Sequence, residues 1–334
     1  MANARKLPSG RWRCRVYIGR QNGKVIQKSF TADTKREAEY LALTYEDSLS
    51  VDKNVRLKEA LLFYADNRKN VLSASTYREY LHKAERYKCI EDLRVSRIST
   101  HDIDRWLNEY SKDHSPKTVR NSYAFLCSVL KYFDVKVGSH KLPQVVKKTY
   151  RIPSDADIKV IIEKCQYSEL RKAIMLGAFG MMRRSEISAL EWEDIEGNVI
   201  HIHSAMVKGV DGYQKKTTKN VSSDRYITVP DFVVAELQKD RKDKPVDMTP
   251  SAITKRFLLL MDKSDMPYTF HSLRHWGTTT LMYNHLPSKF IQDMGGWSTP
   301  KVMNEVYTNT INDYQRMYSE KAMHHFEHVF HGNS

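Results

Sequence analysis

Between Lys136 and Asp155 the chain loses regular hydrophobic periodicity: KVGSHKLPQVVKKTYRIPSD holds Gly138, Pro143 and Pro153 and no repeating apolar position. Proline fixes φ and removes a backbone donor, so neither a helix interior nor a central strand is expected here. The stretch reads as an interdomain linker ending near Pro153. Because 334 residues exceed one ordinary core, the parts on either side must each bury apolar surface of their own.

Before the linker the pattern changes once. In GRWRCRVYIG the alternation puts Trp12, Cys14, Val16 and Ile18 on one face of a strand and Arg11, Arg13, Arg15 and Tyr17 on the other. Asn22-Gly23 is a hairpin signal before a second run, VIQKSFT. Thr34-Lys35-Arg36-Glu37 fits a capping box, and Ala38, Leu41, Ala42 and Tyr45 follow at helical spacing, predicting a helix against the sheet's apolar face. From Val55 to about Val137 the period is helical: Leu57, Ala60, Leu61 and Tyr64 mark one helix, THDIDRWLNEY another with Thr100 as N-cap. Val119, Tyr123, Leu126 and Leu130 mark a third after Ser115-Pro116.

After the linker, DADIKVIIEKC and ELRKAIMLGAFGMMRRSEISAL read as helices, NVIHIHSAMV and DRYITVP as strands, and the rest from Ala252 as mostly helix. The fold class is therefore multidomain α+β: a small sheet plus helix, an all-α domain, and a mainly α domain with a small antiparallel sheet.

Charge narrows the partners. The net charge is +14, and residues 1 to 30 carry eight basic and no acidic side chains. A field of that sign attracts polyanions, and a basic two-stranded ribbon fits the major groove of DNA. Arg11, Arg13, Arg15, Tyr17 and Lys28 are the candidate contacts. No apolar run is long enough to cross a bilayer and the first residues carry no secretory pattern, so a cytoplasmic, nucleoid-associated protein is expected. Cys14, Cys89, Cys127 and Cys165 are widely spaced, unlike a zinc module or a disulfide framework.

Four segments concentrate chemistry-bearing side chains. GAFGMMRRSEISALEWEDI places Arg183 and Glu186 three apart, where they can face each other on a helix. TTKNVSSDRYITVP is a turn-rich hairpin carrying Lys219; the trailing Ser223-x-Arg225 favours it over Lys216. FHSLRHWGTTTLMYNH opens an amphipathic helix with His271, Arg274 and His275 together, and Leu273, Leu281 and Met282 are expected to form its core face while the polar cluster faces elsewhere. In MGGWSTPKVMNEVYTNT, Trp297 precedes Tyr307 by ten residues.

Taken in order, these segments resemble the tyrosine recombinase, or phage integrase, family over about residues 150 to 320, with GGW replacing the commoner Gly-His. The resemblance implies that Tyr307 is the nucleophile on a DNA phosphodiester and forms a 3′-phosphotyrosyl bond. It further implies that Arg183 and Arg274 grip the phosphate, that Lys219 is general acid toward the 5′-oxygen, and that His271 serves acid/base chemistry or phosphate positioning. Trp297 donates one indole N–H, and Glu186 supports an arginine; Arg184 is a bystander. Planar guanidinium forks suit a phosphate in a way that lysine cannot reproduce. The architecture looks like that of lambda-type integrases: an arm-type DNA-binding domain over 1–50, a core-binding domain over 54–138 and a catalytic domain over 150–334, whose C-terminal helix packs on a neighbouring protomer. A homotetramer on double-stranded DNA with core-type and arm-type attachment sites is implied, acting in integration and excision of a mobile element or prophage. DNA-bending or directionality factors are further expected partners, and no cofactor is called for.

Duller readings stand beside these. His271 and His275 have a zinc-like spacing, but HSLRH lacks the glutamate of H-E-x-x-H, so no metal is expected. His324, His325 and His328 flank an apolar stripe of Ala322, Phe326, Val329 and Phe330, better suited to docking than to metal. A type IB topoisomerase shares the chemistry, and a catalytically silent DNA-binding protein shares the charge.

Overall fold

The computed structural model describes residues 4–300 except 22–23, 50–52, 147–150 and 218–222, and beyond them only Ser319, Ala322, Met323, Phe326, Glu327 and Val329; the side chains of 17–26 and 43–52 also lie outside the description. The chain forms two compact units, Met1–Val145 and Val146–Ser334.

The first unit opens with a three-stranded antiparallel sheet, β1 (Arg5–Lys6), β2 (Trp12–Gln21) and β3 (Lys24–Ala32), in the order β1-β2-β3. Cys14 and Val16 are buried with Ala38 and Ala42 of helix α1 (Lys35–Leu49), as the alternating pattern predicts. The pairing shifts between Tyr17 and Gly19, so the strict alternation ends before Ile18. The Glu37 N–H donates to Thr34 Oγ1 (3.2 Å), and the Ala4 N–H donates to Glu39 (3.0 Å), fastening α1 to the sheet. Leu41, expected on the core face, is exposed, because the two small alanines at 38 and 42 make the close contact with the sheet.

The same unit contains helices α2 (Leu57–Asp66), α3 (Ala74–Lys83), α4 (Thr100–Asp113) and α5 (Pro116–Tyr132). A separate apolar cluster joins Leu57, Leu61, Tyr87, Trp106, Leu126 and Leu130. The N-cap of α4 is Ser99 and not Thr100: the Ser99 hydroxyl accepts the Asp102 N–H while Asp102 accepts the Ser99 N–H, satisfying two donors at once.

The second unit holds α6 (Asp155–Lys164), α7 (Ser168–Phe179), α8 (Arg184–Ile187), β4 (Ile195–Glu196), β5 (Val199–Ile202), β6 (Ser204–Lys208), β7 (Tyr213–Thr217), β8 (Arg225–Thr228), α9 (Asp231–Gln238), α10 (Pro250–Lys263), α11 (Phe270–Tyr283) and α12 (Ser288–Gly295). β4, β5 and β8 make one antiparallel sheet and β6–β7 a hairpin; the expected single strand over NVIHIHSAMV breaks at His203 into strands of different sheets.

Two features of this unit position the site. Helix α7 is buried on nearly every side and packs on α11, where a Cβ on Gly277 would lie 2.5 Å from the Ala178 carbonyl oxygen. Only glycine allows the two backbones so close. The helix expected to run through GAFGMMRRSEIS also stops at Phe179: Met181 has φ 50°, and Arg183, with φ −77° and ψ 147°, is the extended N-cap residue of α8. The break turns Arg183 away from the axis of α7.

Candidate active site

Arg183 and Glu186 form a reciprocal cap at the start of α8. Glu186 accepts the Arg183 backbone N–H at 2.8 Å, and Arg183 Nη1 donates back to Glu186 Oε1 at 2.6 Å. The other terminal nitrogen of Arg183 donates to the Gly296 carbonyl at 2.9 Å. Glu186, only 3% exposed, is also paired through both oxygens with Arg225, at 2.9 and 3.3 Å. Burial alone would raise its pKa, but the charge and hydrogen bonds of Arg225, then of Arg183, outweigh that and lower it.

Arg274, on the first turns of α11, is 1% exposed. Its guanidinium donates to the carbonyls of Met181 and, at 2.6 Å, Gly295, and lies 4.1 Å from the centroid of the Trp297 ring. The expectation that the polar cluster of FHSLRH avoids the interior is thus corrected: Arg274 and His275 are both buried. The α7 break explains it, because a kinked turn leaves the Met181 carbonyl free to accept what a continuous helix would have used. Leu273 is buried as predicted, while Leu281 and Met282 are partly buried against the small cluster of Ile291 and Trp297.

The two neighbouring carbonyls of Gly295 and Gly296 therefore receive the two arginines. Gly296 caps α12 in the left-handed region with φ 64°. A Cβ at Gly295 would fall 1.8 Å from the Trp297 ring, and one at Gly296 2.8 Å from Arg225 Nη1, so the Gly-Gly pair is required by close approach on both sides.

His271 stands one turn before His275, their rings 4.6 Å apart. Desolvation, then the positive charges of Arg274, Arg183 and Arg184, push His271 down to about 4. Its side chain keeps an open edge to solvent, so the arginine charges are the firmer of these causes. His275 is pushed down to about 3, first by desolvation and then by His271 and Arg274. Both are neutral imidazoles at pH 7. Arg184 is exposed and bonds Thr254, away from the Glu186 network.

Of the candidate residues, the structure brings together Arg183, Glu186, His271, Arg274 and Trp297. Lys219, between β7 and β8 in sequence, and Tyr307, after α12, lie outside the described residues. Lys216 is on β7 opposite Ala205. Arg225, known to the sequence reading only as an alignment mark after Lys219, is a member of the site that it missed, and so are the glycine carbonyls. In the first unit Arg11 and Arg15 are exposed and Arg11 pairs with Asp33 at 2.9 Å. Arg13 and Arg15 face Thr31 and Ser29 across the ladder, whereas Lys28 lies opposite Val16 on the other face of the sheet. The side chain of Tyr17 is outside the description.

The description "Phage integrase family" belongs to the family model that matches residues 154–313, a span containing all of these second-unit residues. Residues 154–313 form a tyrosine recombinase domain of that family. The chain is 26% identical to a tyrosine recombinase XerC-like protein of Caldanaerobacter subterraneus subsp. tengcongensis, over 90% of this chain and 92% of that one. It is 25% identical to the integrase of Salmonella phage P22 over 48% of this chain and 44% of that one. Among solved structures, it resembles the Tn1549 transposon integrase in complex with transposon right end DNA, with TM-score 0.66 and 17% identity over 80% of this chain and 99% of the other. It also resembles a lambda integrase dimer bound to a COC′ core site, with TM-score 0.59 and 15% identity over 91% and 94%. The fold is integrase-like, mostly helical with small antiparallel sheets, and the activity class of this recombinase is site-specific recombination. Among the described residues, no helix is long and apolar enough to cross a membrane.

Proposed function

We propose that this recombinase cuts and rejoins DNA at attachment sites to integrate and excise a mobile element or prophage, through a 3′-phosphotyrosine on Tyr307. The Tyr307 phenolic oxygen attacks the scissile phosphorus, the bond from phosphorus to the 5′-oxygen breaks, and Lys219 supplies the proton to that leaving oxygen. Attack by a different 5′-hydroxyl then restores the diester and releases the tyrosine. Bond energy is kept in the ester, so no ATP is consumed.

The observation that carries this reading is the convergence of Arg183 and Arg274 on the adjacent carbonyls of Gly295 and Gly296. The described cluster sets three guanidinium groups, Arg183, Arg225 and Arg274, against one carboxylate, Glu186. A buried surplus of positive charge is costly unless an anion completes it. A phosphodiester passing through a pentacoordinate state supplies that anion and gains most as its charge grows. Arg274 is 1% exposed, so by this reading its contacts with Met181, Gly295 and Trp297 give way when a phosphate oxygen enters. His271, neutral at working pH, presents one N–H or accepts one proton.

By the same reading the sheet of residues 1–50 binds arm-type sites, residues 54–138 and 150–334 clamp the core site, and four copies act on two duplexes with the C-terminal helix exchanged between protomers. A structural relative, lambda integrase, is a tetramer bound to a Holliday junction. Phe326 and Val329, near that C-terminus, are exposed in the single chain.

The test is covalent trapping on a nicked suicide duplex selected from a random-sequence pool by capture on the wild-type protein. An adduct that Tyr307→Phe abolishes, while salt-sensitive DNA binding survives, supports the scheme. An adduct retained by Tyr307→Phe refutes the assignment of the nucleophile.

A further inference from the structure

Arg225 is the third arginine of the site and is itself covered: it is 7% exposed at the start of β8. Every nitrogen of its guanidinium is engaged. Nε donates to the Met294 carbonyl at 2.9 Å, Nη1 to the Ser223 carbonyl and to Glu186 Oε1 at 3.3 Å each, and Nη2 to Glu186 Oε2 at 2.9 Å. It thereby ties three stretches that are distant in sequence: the cap of α8, its own strand and the last turn of α12.

The consequence falls on Glu186. A carboxylate offers about four lone-pair sites. Here Oε1 takes Arg183 Nη1 and Arg225 Nη1, and Oε2 takes the Arg183 backbone N–H and Arg225 Nη2. Arg183 can therefore place only one terminal nitrogen on Glu186, and its other terminal nitrogen points to Gly296. Were Arg225 absent, the buried carboxylate would have two unmet sites and be free to take the Arg183 fork in a parallel two-bond pairing, the geometry such pairs favour.

We propose that Arg225 is a positioning residue for the reaction, holding Glu186 so that Arg183 keeps one terminal nitrogen on the carboxylate and the other on Gly296, the posture from which it meets the scissile phosphate. The inference rests on the phosphate-gripping role proposed above for Arg183. Lysine cannot substitute, since a point charge cannot reach Met294 and both carboxylate oxygens together.

The experiment uses the full chain and the suicide duplex captured on wild type. If wild type captures no duplex, the recombination scheme fails, and that failure is separate from this one. Single-turnover cleavage is measured for wild type, R225K and E186Q/R225Q, the double variant leaving no orphaned buried charge if R225K folds poorly. Cleavage should fall about 100-fold in both, as expected for a misplaced reacting group, with the Kd for DNA little changed.

The second arm replaces the scissile phosphate by a methylphosphonate, in which a methyl group takes the place of one non-bridging oxygen and the charge is lost. If Arg225 acts through the Arg183 fork, the deficit of the variants should shrink about tenfold or more on this neutral diester, because less charge needs stabilising. A deficit of equal size on both substrates would show that Arg225 only holds the fold together, and cleavage by R225K at the wild-type rate would remove it from the reaction. Either result overturns the proposal.

Discussion

The guanidinium carbon of Arg274 lies over the Trp297 ring, 4.1 Å from its centroid, with both side chains buried. A desolvated cation over an indole face is worth about 2 kcal/mol. The ring thus holds the arginine at the angle set by the Met181 and Gly295 carbonyls. Trp297→Phe keeps an aromatic face and should cleave the suicide duplex within about tenfold of wild type; Trp297→Leu fills space without the quadrupole and should lose considerably more. Equal rates for the two variants in single-turnover assays would remove the stack from the mechanism.

Replacing Glu186 by Gln leaves Arg183 and Arg225 without their buried counter-charge, and breaking such a pair typically costs about 3–5 kcal/mol. Urea unfolding at pH 7 reads this directly. The lowered pKa of Glu186 gives the sign of its pH dependence: its contribution is complete above the ordinary carboxylate range and is lost as pH falls through the depressed folded value. Glu186→Gln should therefore unfold with a flatter dependence on pH below about 4.5 than wild type.

The Gly-Gly turn makes a graded prediction. Gly295→Ala drives a methyl to 1.8 Å from the Trp297 ring, and Gly296→Ala puts one 2.8 Å from Arg225 in a left-handed residue. Overpacking costs about 1–3 kcal/mol and left-handed backbone about 1–2 kcal/mol. Both substitutions should slow cleavage. Thermal denaturation should rank Gly295→Ala as the more damaging, because a packed indole yields less readily than the end of an arginine; the reverse order would contradict the geometry.

His275 supplies a stability slope in a different window. Its folded pKa is lowered to about 3, so between about 6.5 and 3 the unfolded chain binds more protons and stability falls as pH falls. From pH 7 to pH 5 that single group removes about 2 kcal/mol, a range in which Glu186 stays ionised. His275→Asn should reduce the drop measured by urea unfolding at the two pH values, and an unchanged drop would place the slope on other histidines.

Much of this arrangement was legible in the sequence where the signal is local. His271 and Arg274 stand three apart on one helix, and Arg183 and Glu186 three apart meet as N-cap and third helical residue, so local rules bring each pair together. The cap at Thr34, the burial of Leu57 and Leu61 and the span of α5 follow from equally local rules. What failed to show is non-local. Nothing near Met181 announces its positive φ, since Met-Met-Arg-Arg reads as good helix. Arg225 finds Glu186 thirty-nine residues away and Met294 sixty-nine away, contacts that no spacing rule encodes. The acceptors for Arg183 and Arg274 are main-chain oxygens, invisible to a reading of side chains. The exposure of Leu41 is equally non-local, because burial depends on how closely a sheet approaches, which Ala38 and Ala42 decide.

Three guanidinium groups sharing one carboxylate also set the resting condition of the protein. An oxyanion held by Arg183 and Arg274 would relieve the mutual repulsion in such a cluster, and a ligand bound by the folded chain alone raises its stability. Melting temperature then doubles as a gauge of anion binding: millimolar sulfate should raise it where equal ionic strength of chloride does not, giving a readout before any target sequence is known.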